Sequence, residues 1–286
     1  MITFLGMGLL GANFVKAMIN KGSQVQVWNR TASKATELEK YGARAFKEVA
    51  DAVKGADRVH LTLKDDATVD EVLSKASAGL MPGAIIIDHT TTSAAGAVQR
   101  TREWQQRGFT YVHAPVFMGP SNALDSTGYM LVSGDQDLLA KLEPELAKMT
   151  GKILNFGVEP GRAAGMKLIG NAFLVAFTAG IADTLSLAGA LEIPVSDLTT
   201  LFDSWNPGAV LPARLKRMTS GNFDQPSWEL NMARKDTGLF LQAAEQGGTK
   251  LAVMPAIAAE MDRWIEKGYG NHDWTVIGSS PFPKKP

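Results

Sequence analysis

Short apolar runs alternate with longer amphipathic stretches through the first half of the chain. Strands are predicted at residues 2–5, 24–28, 58–63, 84–88 and 110–113, with 129–133 as the last of the set. Between them, helical spacing is predicted over 11–21, 32–41, 69–76 and 94–107. Strands and helices in this rhythm read as βαβ units on a doubly wound parallel sheet with right-handed crossovers, an α/β architecture. The pattern breaks at Gly157-Val158-Glu159-Pro160-Gly161-Arg162, a turn-forming run. Everything beyond it is predicted helical: 166–191, 194–202, 211–218, 229–246 and 252–267, with Pro194 stopping the first of these. The 166–191 stretch is apolar on most faces and is expected to be largely buried. The division therefore falls into 1–160 and 161–286, an α/β domain followed by an all-α domain, with a long helix between them and a loose Pro- and Lys-rich tail at 279–286.

Composition narrows the chemistry. The 286 residues carry 29 Lys+Arg and 29 Asp+Glu, so the chain lacks the positive excess of a general nucleic-acid binder. With no cysteine, disulfides, thiolate metal sites and cysteine nucleophiles are out of reach, and the four histidines (His60, His89, His113, His272) show no metal-ligand spacing; no metal is expected. The apolar run at 168–190 contains Asn171, Thr178, Asp183, Thr184 and Ser186, a set that argues for a core helix over a bilayer span. The opening residues form a strand and a glycine turn with no basic leader, and a cytoplasmic enzyme is expected.

That glycine turn is the first chemical signal. Gly6-Met7-Gly8-Leu9-Leu10-Gly11 follows a strand at once and opens a helix, the context in which G-x-G-x-x-G holds a dinucleotide pyrophosphate on free helix N–H groups. The first domain is thus of Rossmann type. The next strand ends Val27-Trp28-Asn29-Arg30-Thr31 with no acid to bind ribose hydroxyls. Arg30 is suited to a 2′-phosphate, with Asn29 and Thr31 as further donors, so NADP(H) is expected in preference to NAD(H).

With these motifs in place, the chain resembles the β-hydroxyacid dehydrogenase family, which includes 3-hydroxyisobutyrate dehydrogenases and glyoxylate/succinic semialdehyde reductases and, more distantly, 6-phosphogluconate dehydrogenase. The resemblance runs over nearly the whole chain. It rests on the opening FLGMGLLGANFVKAMINKG, NRT at 29–31, DHTTTS at 88–93, HAPV at 113–116, GMKLIGN at 165–171 and KDTGL at 235–239, in that order. It implies a small-molecule substrate, a homodimer or homotetramer built through the helical half, and catalysis by Lys167. A lysine suits the chemistry, because hydride addition to a carbonyl builds alkoxide charge that an ammonium can protonate. Asn171, one helical turn on, is implied to orient substrate or the lysine. Lys235 is implied to lie near nicotinamide and substrate; Asp236 beside it is a further substrate-site candidate that fixes that lysine or holds two helices together. Thr91 is implied beside the nicotinamide ribose, and Leu63 and Lys64 on the adenosine side.

One segment departs from the family pattern. Where the family commonly reads DAPVSGG, this chain has His113-Ala114-Pro115-Val116-Phe117-Met118-Gly119. The resemblance assigns Pro115 to Gly119 to the substrate, with small residues offering a hydroxyl and amides to its carboxylate; Phe117 and Met118 fill that space with apolar volume. The leading expectation is interconversion of a small β-hydroxyacid and its semialdehyde or keto form. The alternatives are reduction of a bulkier carbonyl or imine without a carboxylate, and a non-catalytic dinucleotide-binding assembly module. Imine reductases share the implied architecture but typically carry Asp or Tyr in place of the lysine, so Lys167 weighs against that role. Trp205, Met232 and Trp274 are candidates for an apolar wall from the helical half.

Overall fold

The computed structural model describes residues 1–279; the tail expected at 279–286 lies, from 280 on, outside the described residues. The chain forms two compact units, Met1–Ala172 and Phe173–Pro286, with the division inside one long helix.

In the first unit the elements run β1 (Ile2–Leu5), α1 (Leu9–Asn20), β2 (Val25–Trp28), α2 (Ala32–Thr36), β3 (Arg44–Phe46), α3 (Val49–Ala52), β4 (Arg58–Leu61), α4 (Asp66–Ala76), β5 (Ile85–Asp88), α5 (Ala94–Gln106) and β6 (Thr110–His113). These six strands make one parallel sheet in the order β3-β2-β1-β4-β5-β6. The order reverses at β1, so a crevice opens beyond the carboxyl ends of β1 and β4, where ligands of such sheets bind. Buried β-branched and aromatic residues on both faces of β1, β4 and β5 explain why these strands read as continuous apolar runs rather than alternating ones.

The expected strand at 129–133 does not extend this sheet. β7 (Val116–Phe117), α6 (Pro120–Asp125), β8 (Tyr129–Val132), α7 (Gln136–Leu146) and β9 (Lys152–Asn155) form a separate three-stranded sheet, antiparallel between β7 and β8 and parallel between β8 and β9. Strands as short as β3 and β7 carry too few residues to show a period, which is why the sequence pattern passes over them.

The long helix α8 (Arg162–Ala190) is followed by α9 (Val195–Ser204), α10 (Leu211–Ser220), α11 (Leu230–Gln246) and α12 (Met254–Trp264). α8 corrects the expectation of a buried helix. By length and composition it could cross a membrane, yet little of it is buried in the single chain. Phe173, Leu174, Val175 and Phe177 are all more than half exposed. The reason is that its apolar residues surround the helix while the chain supplies neighbours to only part of that circumference. Asp183 is among its few buried residues: 3% exposed, it accepts the backbone N–H groups of Ala252, Val253 and Met254 and caps the segment that begins α12. Its carboxyl is held below the ordinary aspartate range by those bonds, against the opposing cost of burial.

The core of the first unit contains an unforeseen histidine pair. His60 and His89, on β4 and just after β5, stack with Phe4. His89 Nδ1 lies 2.8 Å from the Ala114 carbonyl, which fixes the proton on that nitrogen. Its Nε2 then accepts from His60 Nδ1 at 3.0 Å. That geometry leaves the His89 ring neutral, and burial drives both histidines below the ordinary value, His89 to about 4. The unfolded chain takes up protons near pH 6.5 while the native rings do not, so stability is complete above that pH and falls as the solution is acidified. Urea unfolding is expected to show a loss of about 1.5 kcal/mol per histidine between pH 6.5 and 5, reduced in His60→Gln; equal stability at the two pH values would contradict the neutral pair.

Candidate functional site

β1 delivers the chain to Gly6, whose φ of +97° belongs to the left-handed region and where a Cβ would stand 2.2 Å from the Thr62 carbonyl oxygen. At Gly11 a Cβ would stand 2.0 Å from the Gly6 carbonyl oxygen, so α1 packs against the turn only because residue 11 has no side chain. Gly8 differs: a Cβ there would meet nothing within 4 Å. Gly8 is the N-cap of α1, no side chain caps the helix, and its first turn has no acid. The N–H groups there are free for an anion, and the space in front of Gly8 is open. Met7 is buried, and its N–H donates to Asn29 Oδ1 at 2.9 Å, while Asn29 Nδ2 donates to the Thr31 carbonyl at 2.9 Å. Asn29 therefore clasps the glycine turn to the end of β2 while also lining the cleft.

A cleft of about 390 Å³ opens at this point, lined by Gly6, Gly8 to Gly11, Asn29, Arg30, Thr31, Leu63 and Lys64. Sequence reading missed other lining residues. Thr68, Glu71, Val72 and Lys75 recur at helical spacing on one face of α4, and Lys34 follows Thr31 by one turn of α2. That spacing was the available signal, although nothing in it says which face looks into the cleft. Arg30, Lys34, Lys64 and Lys75 supply four cations against the single carboxylate of Glu71, whose pKa is lowered by its bond to Lys75 and further by Arg30. Thr62 Oγ1 is buried at the rim without a protein partner. Free helix amides, an open approach at Gly8, clustered cations and an orphan hydroxyl fit a phosphorylated dinucleotide.

Thr91 is exposed on the loop after β5, and its neighbours are fixed from below. Asp88 Oδ1 accepts the Thr90 N–H at 2.8 Å, and Thr90 Oγ1 accepts the Leu63 N–H at 2.9 Å. Asp88 Oδ2 in turn accepts from Tyr111 Oη at 2.7 Å. Arg100, 2% exposed, donates to Tyr111 Oη and pairs with Asp66 and Asp70. Burial and the Asp88 charge push the Tyr111 hydroxyl well up, so it stays a donor. One buried chain of polar groups thus sets the loops after β4 and β5 relative to each other.

Lys167 lies in the second turn of α8 and is 9% exposed. Its Nζ stands 4.2 Å from the centroid of the Phe117 ring, and burial lowers its pKa from the usual lysine value. The same ring rests on Gly170, where a Cβ would come within 2.3 Å of Phe117 Cζ. Asn171 is half-buried four residues after Lys167. Of the segment expected to meet substrate, Val116 is buried and Met118 packs on the core, while the Gly119 N–H donates to Asn122 Oδ1 at 2.9 Å. Asn122 Nδ2 donates to Thr127, so this amide is engaged in capping α6. In the second unit, Lys235 and Asp236 pair with each other at 2.9 Å on α11. Trp274 packs edge-on against Trp228, and Trp205 and Met232 are exposed.

Residues 1–157 match the family described as the NAD binding domain of 6-phosphogluconate dehydrogenase, and residues 159–279 match the NADPH-dependent reductive aminase-like, C-terminal domain. The chain is 25% identical over 281 residues to 3-sulfolactaldehyde reductase of Escherichia coli (strain K12), covering 96% of this chain and 94% of that protein. It is 31% identical over 245 residues to the cytokine-like nuclear factor N-PAC of Homo sapiens, covering 83% of this chain but 43% of that longer protein. In fold it is similar to an imine reductase from Myxococcus stipitatus in complex with NADP+, at a TM-score of 0.89 and 22% identity over 96% of this chain and 98% of that one.

Proposed function

The chain belongs to the 6-phosphogluconate dehydrogenase type of NAD-binding oxidoreductases, and from that premise we propose that it uses NADPH to reduce a small carbonyl compound with Lys167 as the proton donor. The observation that carries this reading is a buried lysine in the same compact unit as the glycine turn and cleft suited to a dinucleotide. When bound, the reduced nicotinamide supplies a hydride to the carbonyl carbon. The Lys167 ammonium gives its proton to the carbonyl oxygen as charge builds there, leaving a neutral amine that solvent reprotonates. Burial eases that exchange by bringing the ammonium's pKa down. In the reverse direction the neutral amine accepts the alcohol proton.

The cofactor preference follows from charge. Arg30 and Lys34 line the cleft beyond β2 and are assigned to a 2′-phosphate, no acid ends β2, and the fold neighbour holds NADP+. Residues 1–160 are the NADP-binding domain of this proposal, and 161–286 serve substrate binding and assembly. Asn171, Lys235 and Asp236 are assigned to the substrate, with Lys235 also toward nicotinamide and Thr91 toward its ribose. A small β-hydroxyacid/semialdehyde pair is the substrate class that the resemblance supports. A second reading, a bulkier carbonyl or imine without a carboxylate, is favoured by the Phe117 ring on Lys167 and by the reductive aminase-like match of the helical half. A second copy of the chain is proposed to cover the exposed apolar faces of α8, making a homodimer or homotetramer in the cytoplasm; a patch of this extent marks an interface.

Four measurements test this. Lys167→Ala should lower kcat by about 10²–10⁴-fold with NADPH affinity retained; equal turnover removes Lys167 from the chemistry. In the wild type, reduction should fade as pH rises through the depressed lysine pKa, because the donor must be protonated, and oxidation should grow over the same range. Arg30→Ala should weaken NADPH binding about tenfold or more and leave NADH binding nearly unchanged; an unaltered preference contradicts a phosphate contact. Light scattering should give a dimer or tetramer for the wild type and smaller species for Phe173→Glu/Phe177→Glu; a wild-type monomer contradicts the assembly.

A further inference from the structure

The contact between Phe117 and Lys167 is built from several sides. β7 pairs with β8 so that Phe117 faces Tyr129 across the ladder, and the Leu131 N–H donates to the Pro115 carbonyl at 2.8 Å. Gly128, at φ +80°, lets the turn pass beneath the Phe117 carbonyl, where a Cβ would stand 2.8 Å from that oxygen. The backbone of residue 117 is therefore pinned, and the tip of its ring comes so close to Gly170 that a methyl group there would overlap it. On the same helix, three residues earlier, Lys167 Nζ stands over the ring.

An aromatic face carries the negative part of the ring quadrupole and attracts an ammonium. That face repels an anion, and the phenyl group offers no N–H or O–H to a carboxylate. A carboxylate lying against this face would shed water with no donor from residue 117 to compensate, the Lys167 ammonium beside it being committed in this reading to the reacting carbonyl oxygen. An uncharged substituent meets the ring without that cost. We infer that Phe117, seated on Gly170, is the specificity-determining residue of the Lys167 site, turning it toward substrates whose carbonyl carries an apolar or uncharged neighbour and away from those with a carboxylate there. Gly170 is the positioning residue that makes room for the ring. This assignment rests on Lys167 being the proton donor.

The test is the ratio of kcat/KM for methyl 2-oxopropanoate to that for 2-oxopropanoate, a pair that differs in charge at the group next to the reacting carbonyl, measured with NADPH on the full chain. The wild type should favour the ester at least about tenfold. Phe117→Ser should bring the ratio close to one or invert it. Gly170→Ala, which keeps Phe117 and adds a good helix former, should move the ratio the same way by displacing the ring; it also guards against a folding defect at position 117. A ratio unchanged within twofold across the three proteins, a wild type that favours the acid, or one that accepts neither compound overturns the assignment. The two proposals fail separately: turnover surviving in Lys167→Ala removes the proton donor, whereas an unchanged ratio with Lys167 still required removes only the role of Phe117.

Discussion

A Cβ at residue 11 would stand 2.0 Å from the carbonyl oxygen of Gly6, and one at residue 6 would stand 2.2 Å from that of Thr62. These two close approaches let β1 turn directly into α1 while β4 lies alongside. The free amides of the first helical turn then stand at the mouth of the crevice where the sheet order reverses. Two side-chain links secure that junction. Asn29 ties the turn to β2, and Thr90 ties the loop after β4 to the loop after β5. A larger residue at either glycine would separate helix from strand, and the cleft would lose both its shape and its anion-binding amides.

The interior polar groups serve the same purpose. Asp88, Tyr111 and Arg100 form a buried relay whose members are each satisfied by the next, and the chain ends on the acids of α4. Such a network is costly to leave half-made, so it fixes one arrangement of the loops above it. The His60–His89 pair performs a similar service for Ala114, at the start of the segment that leads to Phe117. In this way the core beneath the sheet reaches the residue that covers Lys167.

Lys167 and α8 show two outcomes of an apolar helix. At Lys167 a neighbouring strand supplies a ring, and the amine is buried. Further along, Phe173 to Phe177 have no such cover within the chain, and Asp183 is accepted only because three backbone amides meet its carboxylate. An uncovered apolar surface on this scale is the physical reason for proposing a second copy.

Local signals sufficed where chemistry is written in short, contiguous patterns. The strand–glycine–helix junction, the acid-free end of β2, the βαβ rhythm and the helical second half were all legible, because period and steric permission are properties of neighbouring residues. The motif around Lys167 was legible through resemblance, and so was the oddity of Phe117. What tertiary structure decided were the contacts between distant segments. Asn29 proved to be a clasp, Lys34 and one face of α4 joined the cleft, residues 129–132 left the main sheet for a small one of their own, and α8 remained exposed. None of these follows from spacing along the chain, since each depends on which surfaces meet after folding and which find no partner.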